Sequence, residues 1–484
     1  MTNSEVRRTL GSLRLDKYLP GAVVLTLEAG TAEQEGPVFQ TGIGGVEVLE
    51  SKRPFFRANL NAPHFNVMAY WDARQAQQRS LSSGAEFFED AWKAEVELQG
   101  HTGFAAERGM LVGGASYRKM HVDSANRQGQ QTIVEAARDD HQWAAYLQLE
   151  YALSEVLRLM LAGRYDDGSL IEPQLSPKLA LVWQMAPNHS LRFKADKAFQ
   201  APNYLERFLA VPAGAPVDLS RLEQALAPYL GGVPLWFSSI PLLARGNHTL
   251  DVETIKTAEI GYTANFGWRA SLSATYYRSR LSNFVSHLLG GVNPAYPAYR
   301  PPSVLPPQVQ ELILAQLRQN LPPFLLAAMT NLPDGRPAFV FSYTNFGKVD
   351  MEGVELGGEV FLTPALQLAG AYSWLDSQVK EAPAGVRLFP NSPKHRVALG
   401  LSYYGEKLEA SVRGRWLDRF IWSAGIFDGE VPSYTTVDVA LRLTLAKAFR
   451  LGAYSSNVFD KKHYETFGGD ILGRRTVAFF EVTF

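Results

Sequence analysis

The stretch "HRVALGLSYYGEKLEASVRGRWLDRF" (residues 395–420) alternates apolar and polar side chains on both sides of a short turn at residues 405–407. One face carries Val397, Leu399, Leu401 and Tyr403 before the turn and Leu408, Ala410, Val412 and Trp416 after it. The opposite face of the second half carries Glu409, Ser411, Arg413 and Arg415. Because successive side chains of a strand point to opposite faces, this pattern predicts a β-hairpin with one apolar and one charged face.

The same two-faced pattern continues to the C-terminus. In "YTTVDVALRLTL" (residues 434–445) valine and leucine alternate with polar residues that include Asp438 and Arg442. The final strand has a wholly apolar face formed by Ala478, Phe480, Val482 and Phe484. One such strand also fits the half-exposed sheet of a soluble sandwich, whose interior is apolar. Repeated along the chain, a charged interior and an apolar exterior predict a transmembrane β-barrel with a polar lumen.

The connections alternate in length. Residues 265–268, 363–366, 404–407 and 446–449 form tight turns, whereas residues 200–250 and 285–338 form two long, proline-rich loops. Short turns at one end and long extracellular loops at the other are typical of outer-membrane barrels. We count about 19 strands, among them residues 339–362 and 449–463. Because bacterial single-chain barrels close with even numbers of strands, we expect that this chain does not close a barrel by itself.

Composition excludes several other classes of protein. The 484 residues include 47 Lys+Arg and 48 Asp+Glu, so the net charge of −1 provides no basic surface for nucleic acid. With 0 Cys, disulfides and thiolate metal sites are absent. No run of about 18 apolar residues predicts a spanning helix, and residues 1–23 lack the apolar core of a signal peptide.

The sequence also lacks the motifs of common enzymes. We find no H-E-x-x-H, G-x-S-x-G or phosphate-binding G-x-x-x-x-G-K-[ST] pattern, and the 9 His show no ligand spacing. We therefore expect no catalytic residues, no metal site and no cofactor.

Five segments, in order, resemble the barrel of TonB-dependent outer-membrane receptors. The first is "LRFKADKAFQAPNYLERF" (residues 191–208), which matches the family at Ala201, Pro202, Glu206 and Phe208 and departs from it at Gln200. The second is residues 250–266, through Glu253, Glu259, Gly261 and Tyr262. The third is "YTNFGKVDMEGVELGGEV" (residues 343–360), which matches at Asn345, Gly347, Gly353, Val354 and Glu355.

The fourth segment is "NSPKH" (residues 391–395), and the fifth is the closing element with Phe459, Arg474 and the terminal Phe484. The resemblance implies a barrel of the 22-stranded family type in the bacterial outer membrane, surrounded by lipid and inserted by the barrel-assembly machinery. It also implies uptake of a scarce nutrient, energised by the TonB complex. A ferric siderophore or similar iron chelate is the main expectation, and cobalamin or a glycan is the alternative.

Members of the family carry a plug domain before the barrel, and we find no plug in this sequence. Aligned from its C-terminus, the first segment corresponds to the fourth barrel strand of the family. We therefore expect that residues 1–484 are the barrel of an N-terminally truncated receptor. A passive porin, a non-functional barrel remnant, an outer-membrane enzyme and a soluble β-propeller are the alternatives that we considered.

Two sets of residues are candidates for ligand recognition. Each long loop contains a short helix, with Asp218 expected as the N-cap of one and Pro307 at the start of the other. These helices either pack on the loop beneath them or form a lid over an apolar or bulky ligand. In the lumen, Arg413, Arg415 and Arg442 are candidate ligands for an anionic substrate, or else they neutralise acids such as Glu409, Asp438 and Glu481.

Overall fold

The computed structural model describes residues 6–41, 44–381, 390–424 and 427–482. These residues form an all-β protein with a few short helices. No described helix is long and apolar enough to cross a membrane.

The first eleven strands follow one another without an intervening helix. They are β1 (Arg7–Leu19), β2 (Val23–Glu35), β3 (Val38–Thr41), β4 (Gly44–Asn61), β5 (Phe65–Ser80), β6 (Glu86–Phe104), β7 (Gly109–Asp123), β8 (Arg138–Ala152), β9 (Leu157–Gly168), β10 (Ile171–Ala186) and β11 (His189–Gln200). The next elements, up to residue 342, include all four helices. They are α1 (Tyr204–Phe208), β12 (Ala210–Pro212), α2 (Ser220–Leu230), β13 (Leu242–Arg245), β14 (Glu253–Phe266), β15 (Ala270–Val285), β16 (Leu289–Gly290), α3 (Pro307–Asn320), α4 (Pro323–Ala328), β17 (Met329–Asn331) and β18 (Pro337–Ser342).

The rest of the chain contains only strands. They are β19 (Asn345–Thr363), β20 (Leu366–Glu381), β21 (His395–Tyr404), β22 (Leu408–Leu417), β23 (Phe420–Ala424), β24 (Phe427–Val431), β25 (Tyr434–Ala446), β26 (Phe449–Ser456) and β27 (Arg475–Val482).

One antiparallel sheet of 20 strands forms the barrel wall. Each long strand pairs with the next long strand along the chain, and the four-residue β3 pairs only with the beginning of β4. Leaving β3 aside, the wall has the 19 strands that the sequence predicts. In the described part of the chain, β1 pairs only with β2 and β27 only with β26. Because the number of long strands is odd, β1 and β27 run in the same direction.

The predicted inversion of polarity in the wall is confirmed. Apolar side chains such as Leu399, Leu401 and Val412 are 43–58% exposed on the outer face. On the opposite face, Asp438 is only 9% exposed and lies beside the guanidinium of Arg415. The outer face therefore suits lipid, while the lumen holds the charged groups.

The two long loops fold together on a shared apolar core at the mouth of the barrel. We refer to residues 201–252 and 286–344 as the loop domain. Its sheet has the order β12, β13, β18, β16, with β17 also paired to β18. The β13 and β18 strands are parallel and join the two loops. Its fully buried side chains include Phe237, Phe339, Ile240, Ile313 and Leu317, each 0% exposed.

The helices predicted in the loops contribute apolar side chains to this core. Leu226 of α2 is 3% exposed, and Leu222, Val309 and Leu312 pack against the same cluster. The helices of both loops thus pack into one core. The α3 helix begins at Pro307, as predicted. The prediction for Asp218 is wrong by one residue, because Leu219 occupies the N-cap and the Asp218 carboxylate accepts the Ser220 N–H at 2.8 Å.

Two strand boundaries also differ from the prediction. The segment predicted at 339–362 is divided into β18, which belongs to the loop domain, and β19, which belongs to the wall. The strand predicted at 449–463 ends at Ser456, because Asn457 and Asp460 adopt left-handed backbone conformations with φ of 49° and 54°. Phe484 lies outside the described residues.

Candidate functional site

A lumenal cavity of about 420 Å³ lies between the loop domain and strands β5 to β7 of the wall. The loop domain lines it with apolar side chains, among them Leu205, Leu209, Val211 and Leu288. The wall lines it with two acids and two bases, Asp72, Arg74, Glu89 and Lys93. The cavity therefore combines an apolar roof with a charged side.

The four charged groups of the wall are paired across neighbouring strands. The Arg74 guanidinium lies 2.6 Å from the Glu89 carboxylate, and the Lys93 ammonium lies 3.3 Å from the Asp72 carboxylate. Lys93 also lies 5.5 Å from the ring centroid of Tyr70. Because each charge has a partner, a ligand that enters must exchange contacts with these pairs rather than meet a bare charge.

Two tyrosines of the loop domain add phenol groups to the cavity. The Tyr204 hydroxyl donates to the Asp140 carboxylate at 2.9 Å, and burial together with this bond raises the pKa of Tyr204. Burial raises the pKa of Tyr343 to about 12. The Tyr343 hydroxyl makes no hydrogen bond within the residues that the structure describes. At neutral pH both phenols are protonated, so Tyr343 offers a free hydrogen-bond donor to the cavity.

Pro202 and Glu206, two residues that match the family motif, lie at the start of the loop domain. Pro202 is buried, and Asn203 after it caps α1. The Asn203 side chain accepts the Glu206 N–H at 2.9 Å, and the Glu206 carboxylate accepts the Asn203 N–H at 2.8 Å. This reciprocal arrangement is a capping box. Burial raises the pKa of Glu206.

Asn345 joins the bases of both loops. Its side-chain oxygen accepts the Asp251 N–H at 2.7 Å, and its amide donates to the carbonyls of Asp251 and Asn283 at 3.0 and 2.8 Å. Nearby, the Asn247 side chain donates to the Tyr343 carbonyl at 2.8 Å, and its N–H donates to the Glu206 carbonyl at 2.8 Å. These bonds connect Glu206 with the segment that leads into Asn345, and they fix the loop domain to the wall.

Gly353 and Glu355 lie lower in the wall, on β19. Gly353 pairs with Tyr277, and a Cβ at Gly353 would lie 2.5 Å from the Tyr277 ring. The glycine is therefore required because the Tyr277 ring covers it. Glu355 lines a separate lumenal cavity of about 480 Å³, together with Arg396 and Arg415.

The closing segment is held together by its own polar groups. Asp460 accepts the Arg474 N–H at 2.7 Å and the Lys462 ammonium at 3.1 Å, and these contacts lower the pKa of Asp460. The Asn457 N–H donates to the Asp438 carboxylate at 2.9 Å. Phe459 is 77% exposed, so its side chain does not contribute to a packed core. Of the matched residues in this segment, Arg474 contributes through its backbone.

The three lumenal arginines lie on neighbouring strands, β22 and β25. The Arg415 guanidinium lies 3.7 Å from Asp438, and the Arg442 guanidinium lies 3.4 Å from Glu409. Arg413 makes no ion pair or hydrogen bond in the described part of the chain. Glu481 is neutralised by Arg450 at 3.1 Å. Arg415 and Arg442 thus follow the alternative in which they neutralise wall acids, and all three lie outside the lining of the cavity below the loop domain.

The residues of that cavity were missed by the reasoning from sequence. Asp72 and Arg74 alternate with outward residues on β5, and Glu89 and Lys93 do so on β6, so the period-two signal was present. Their meeting with Tyr204 and Tyr343 depends on how the loops fold over the barrel, which local periodicity does not encode. Among described residues, no group of three or more His, Asp or Glu could hold a metal ion.

Comparison with known proteins agrees with this geometry. The sequence profile of the family described as "TonB dependent receptor-like, beta-barrel" matches residues 48–458. The fold and this match define the protein as a member of the class of outer-membrane β-barrel receptors. The chain belongs to the TonB-dependent receptor-like β-barrel family.

Curated relatives cover parts of the chain. A metal-pseudopaline receptor of Pseudomonas aeruginosa is 32% identical over 127 residues, which is 25% of this chain and 18% of the relative. An iron-regulated outer membrane virulence protein of Vibrio cholerae is 22% identical over 341 residues, which is 69% of this chain and 43% of the relative. The matches thus span less than half the length of these relatives.

Solved structures share the fold over nearly the whole chain. The siderophore receptor PirA from Acinetobacter baumannii superposes with a TM-score of 0.69 at 13% identity, covering 99% of this chain and 71% of that one. A mutant of the ferric enterobactin receptor PfeA from Pseudomonas aeruginosa gives a TM-score of 0.69 at 14% identity, covering 98% and 69%. The copper transporter OprC gives 0.67 at 13% identity, covering 99% and 74%.

Proposed function

We propose that this chain forms the barrel and the extracellular vestibule of a receptor that takes up a metal chelate, with a ferric siderophore as the leading substrate. The observation that carries the proposal is the cavity of about 420 Å³ under the loop domain, with an apolar roof, paired charges on the side of the barrel wall and the free phenol donor of Tyr343. Such a site suits a bulky, amphipathic and polar ligand better than a small sugar.

The names of the similar proteins support a metal-containing substrate. They include receptors for metal-pseudopaline and ferric enterobactin and a copper transporter. Cobalamin and a glycan remain alternative substrates. The TonB complex as energy source, the barrel-assembly machinery as insertion factor and surrounding lipid are part of the proposal. A plug domain before residue 1 stays a prediction.

The loop domain gives the first test, made with the complete gene product in the outer membrane of its native host. Deleting residues 303–329 removes α3 and α4, and with them Ile313 and Leu317 from the shared core. We expect this deletion to abolish binding of radio-iron-loaded siderophores while the barrel still assembles, as judged by its heat-modifiable mobility on gels. Unchanged binding would contradict the role of the loop domain.

A point substitution tests the cavity itself. Tyr343→Phe keeps the ring and removes one donor, so we expect about three- to tenfold weaker binding, the worth of one hydrogen bond. The control is Tyr165→Phe, because Tyr165 lies on the outer face of β9 and is 37% exposed. Equal binding by both variants would place the ligand elsewhere.

A passive porin is the functional alternative. Its signature would be swelling of liposomes in small sugars at a rate set by solute size, with no dependence of uptake on TonB. If the protein is a gated receptor, we expect slow swelling of the liposomes. In a host that lacks TonB, we then expect siderophore uptake to be lost while siderophore binding is retained.

A further inference from the structure

Two histidines lie opposite each other at the end of the barrel that carries the tight turns. His64 lies in the turn that joins β4 to β5, and His101 lies near the end of β6. In the ladder between β5 and β6, Phe65 pairs with Gly100, and the His101 N–H donates to the His64 carbonyl at 2.9 Å. The two histidines therefore form a cross-strand pair directly beyond the last pair of this ladder.

The two imidazole rings are close enough to bind one metal ion together. Their centroids lie 5.9 Å apart, and the ring planes are inclined by 59°. A metal bound to a ring nitrogen at about 2.1 Å lies about 3.2 Å from the centroid of that ring, so one ion can join rings whose centroids are up to about 6.4 Å apart. Small rotations of the side chains bring the centroids to the roughly 5 Å that a tetrahedral ion requires.

The ring nitrogens of this pair have no partner in the part of the chain that the structure describes. The imidazoles of His64 and His101 make no hydrogen bond or ion pair there, and both residues are exposed. Other histidines differ, because a ring nitrogen of His189 and one of His395 bond to tyrosine hydroxyls at 2.7 and 2.9 Å, and one of His463 bonds to a carbonyl at 2.8 Å. The pair is therefore available to an external ion.

The backbone holds the two histidines in place. Pro63 and His64 are the central residues of a turn that the Ala62 N–H closes on the Phe65 carbonyl at 2.9 Å. Proline fixes its own φ, which restricts the turn, and His101 is held by its bond to the His64 carbonyl. The two ligands are thus brought together before an ion binds, which reduces the entropy cost of binding.

The pair lies on the lumenal rim, away from the cavity below the loop domain. His101 is separated from Glu95 by six positions of β6, an even number, so both belong to the lumenal face. His64 precedes Asp72, which lines that cavity, by eight positions, and eight residues of strand span about 26 Å. The histidine pair is therefore a separate site at the opposite end of the barrel.

The donor set selects the kind of ion. Neutral imidazole is the commonest protein ligand for metals, and it suits copper, nickel and zinc, whereas Ca²⁺ and Mg²⁺ take oxygen ligands. The described residues add no third His, Asp or Glu that could hold a metal with this pair. Water completes the coordination, so we expect micromolar binding of an exchangeable ion rather than a permanent structural site.

We propose that His64 and His101 bind one divalent transition-metal ion through one ring nitrogen each. Among such ions Cu²⁺ should bind most tightly, and Ni²⁺ and Zn²⁺ more weakly. The sequence predicts no metal site because 37 positions separate the two residues, a spacing that belongs to no metal motif. Strand pairing brings them together. This inference does not rest on the proposed transport function.

The test uses the purified full chain in detergent without a histidine tag, because a tag would bind the same ions. The chain is titrated with Cu²⁺, and then with Zn²⁺, against a competing chromogenic chelator. We expect His64→Gln and His101→Gln each to weaken binding at least about tenfold, and the double variant to add little, because one ion requires both rings. Electron paramagnetic resonance of the Cu²⁺ form should show two nitrogen ligands in the wild type.

The control is His141→Gln, which should bind Cu²⁺ like the wild type. His141 is exposed on β8 and stacks on the Tyr117 ring at 6.4 Å, with no second histidine beside it among the described residues. Three results would each overturn the proposal: equal binding by the wild type and His64→Gln, losses of the two single variants that add up in the double variant, or the same loss in His141→Gln. Heat-modifiable mobility checks that each variant is folded, and if His64→Gln does not fold, His101→Gln decides alone.

Discussion

The barrel wall and the loop domain use apolar residues in opposite ways. In the wall, Leu399 and Leu401 lie on the outer face and are 58% and 43% exposed. In the loop domain, Phe237 and Phe339 are 0% exposed and lie at the centre of a core. The wall gains little from packing apolar side chains against lipid, so its stability depends on complete backbone ladders. The loop domain lies in water and is stabilised by burial, like an ordinary soluble domain.

The ion pairing of charged residues also differs between the lumenal face and the outer face of the wall. Several lumenal cations of the wall, such as Arg118 beside Glu95 at 2.7 Å, have partners within the protein, although Arg413 has none among the described residues. Lys197, Lys256 and Arg278 on the outer face lack such partners within the described residues. Ion pairs within the protein thus neutralise several lumenal cations, whereas these three outward cations are not neutralised by any described residue.

The largest effect is expected from the core of the loop domain. Phe237→Ala should reduce the free energy of unfolding of this domain by about 3–5 kcal/mol, since it leaves a cavity in a fully buried site. Surface proteolysis of whole cells should then cut residues 201–252 and 286–344, while the heat-modifiable mobility of the barrel stays unchanged.

The matched change in the wall is Phe193→Ala. Phe193 faces outward and is 44% exposed, and lipid fills the space left by its ring. We expect no change in proteolysis of the loops. If Phe237→Ala also prevented barrel assembly, the two regions would not be independent.

The second-largest effect is expected from a substitution in the barrel wall. Gly353→Ala places a methyl group 2.5 Å from the Tyr277 ring and 2.8 Å from the Trp374 carbonyl oxygen, so the ring and the neighbouring strand must shift, at a cost of about 1–3 kcal/mol. Gly414→Ala is the control in another wall strand, because a Cβ there meets nothing within 4 Å. The measurement is the urea concentration at which half of the protein has lost its folded, heat-modifiable band on gels. A lowered midpoint for Gly414→Ala as well would show that the ring contact is not the cause.

The smallest effect is a pH dependence confined to the loop domain. Burial lowers the pKa of His287 below its ordinary value of 6.5, although Asp428 opposes this shift. The neutral form is favoured in the folded state, so the stabilisation is present above the ordinary pKa and is lost as the pH falls through the lowered one. We expect faster hydrogen exchange of residues 286–344 at about pH 5 than in His287→Gln at the same pH.

His101→Gln is the control for this change, because His101 is exposed near the tight turn after β4, at the opposite end of the barrel. It should exchange like the wild type at about pH 5. An acid-dependent opening that persists in His287→Gln would exclude this histidine as its origin.

The strands of the wall were predictable because their signal is local. The alternation in residues 395–420 predicts both the hairpin and its outward face, and the register that pairs Val397 with Trp416 and Leu401 with Val412 confirms it. The errors lie where strands meet loops. The segment 339–362 reads as one run, yet its first residues pair with β13 rather than with the wall.

The site was less predictable because its parts are distant in sequence. Asp72 and Tyr343 line one cavity although 271 positions separate them. The three arginines that stood out in the sequence lie on strands away from that cavity. Motif residues such as Glu206 and Asn345 proved to hold the loops in place through hydrogen bonds, a role that a spacing pattern does not reveal.

The sequence by itself determined the barrel, its polar lumen and the outward face of its strands, because alternation of side chains across a strand is a property of neighbouring residues. Only the tertiary structure decided that the two long loops form one domain, that this domain covers a cavity on the lumenal side, and that Lys197, Lys256 and Arg278 meet on the outer face. Those results depend on which strands are neighbours and in which register, and the free energy that selects them comes from contacts between residues far apart in the chain.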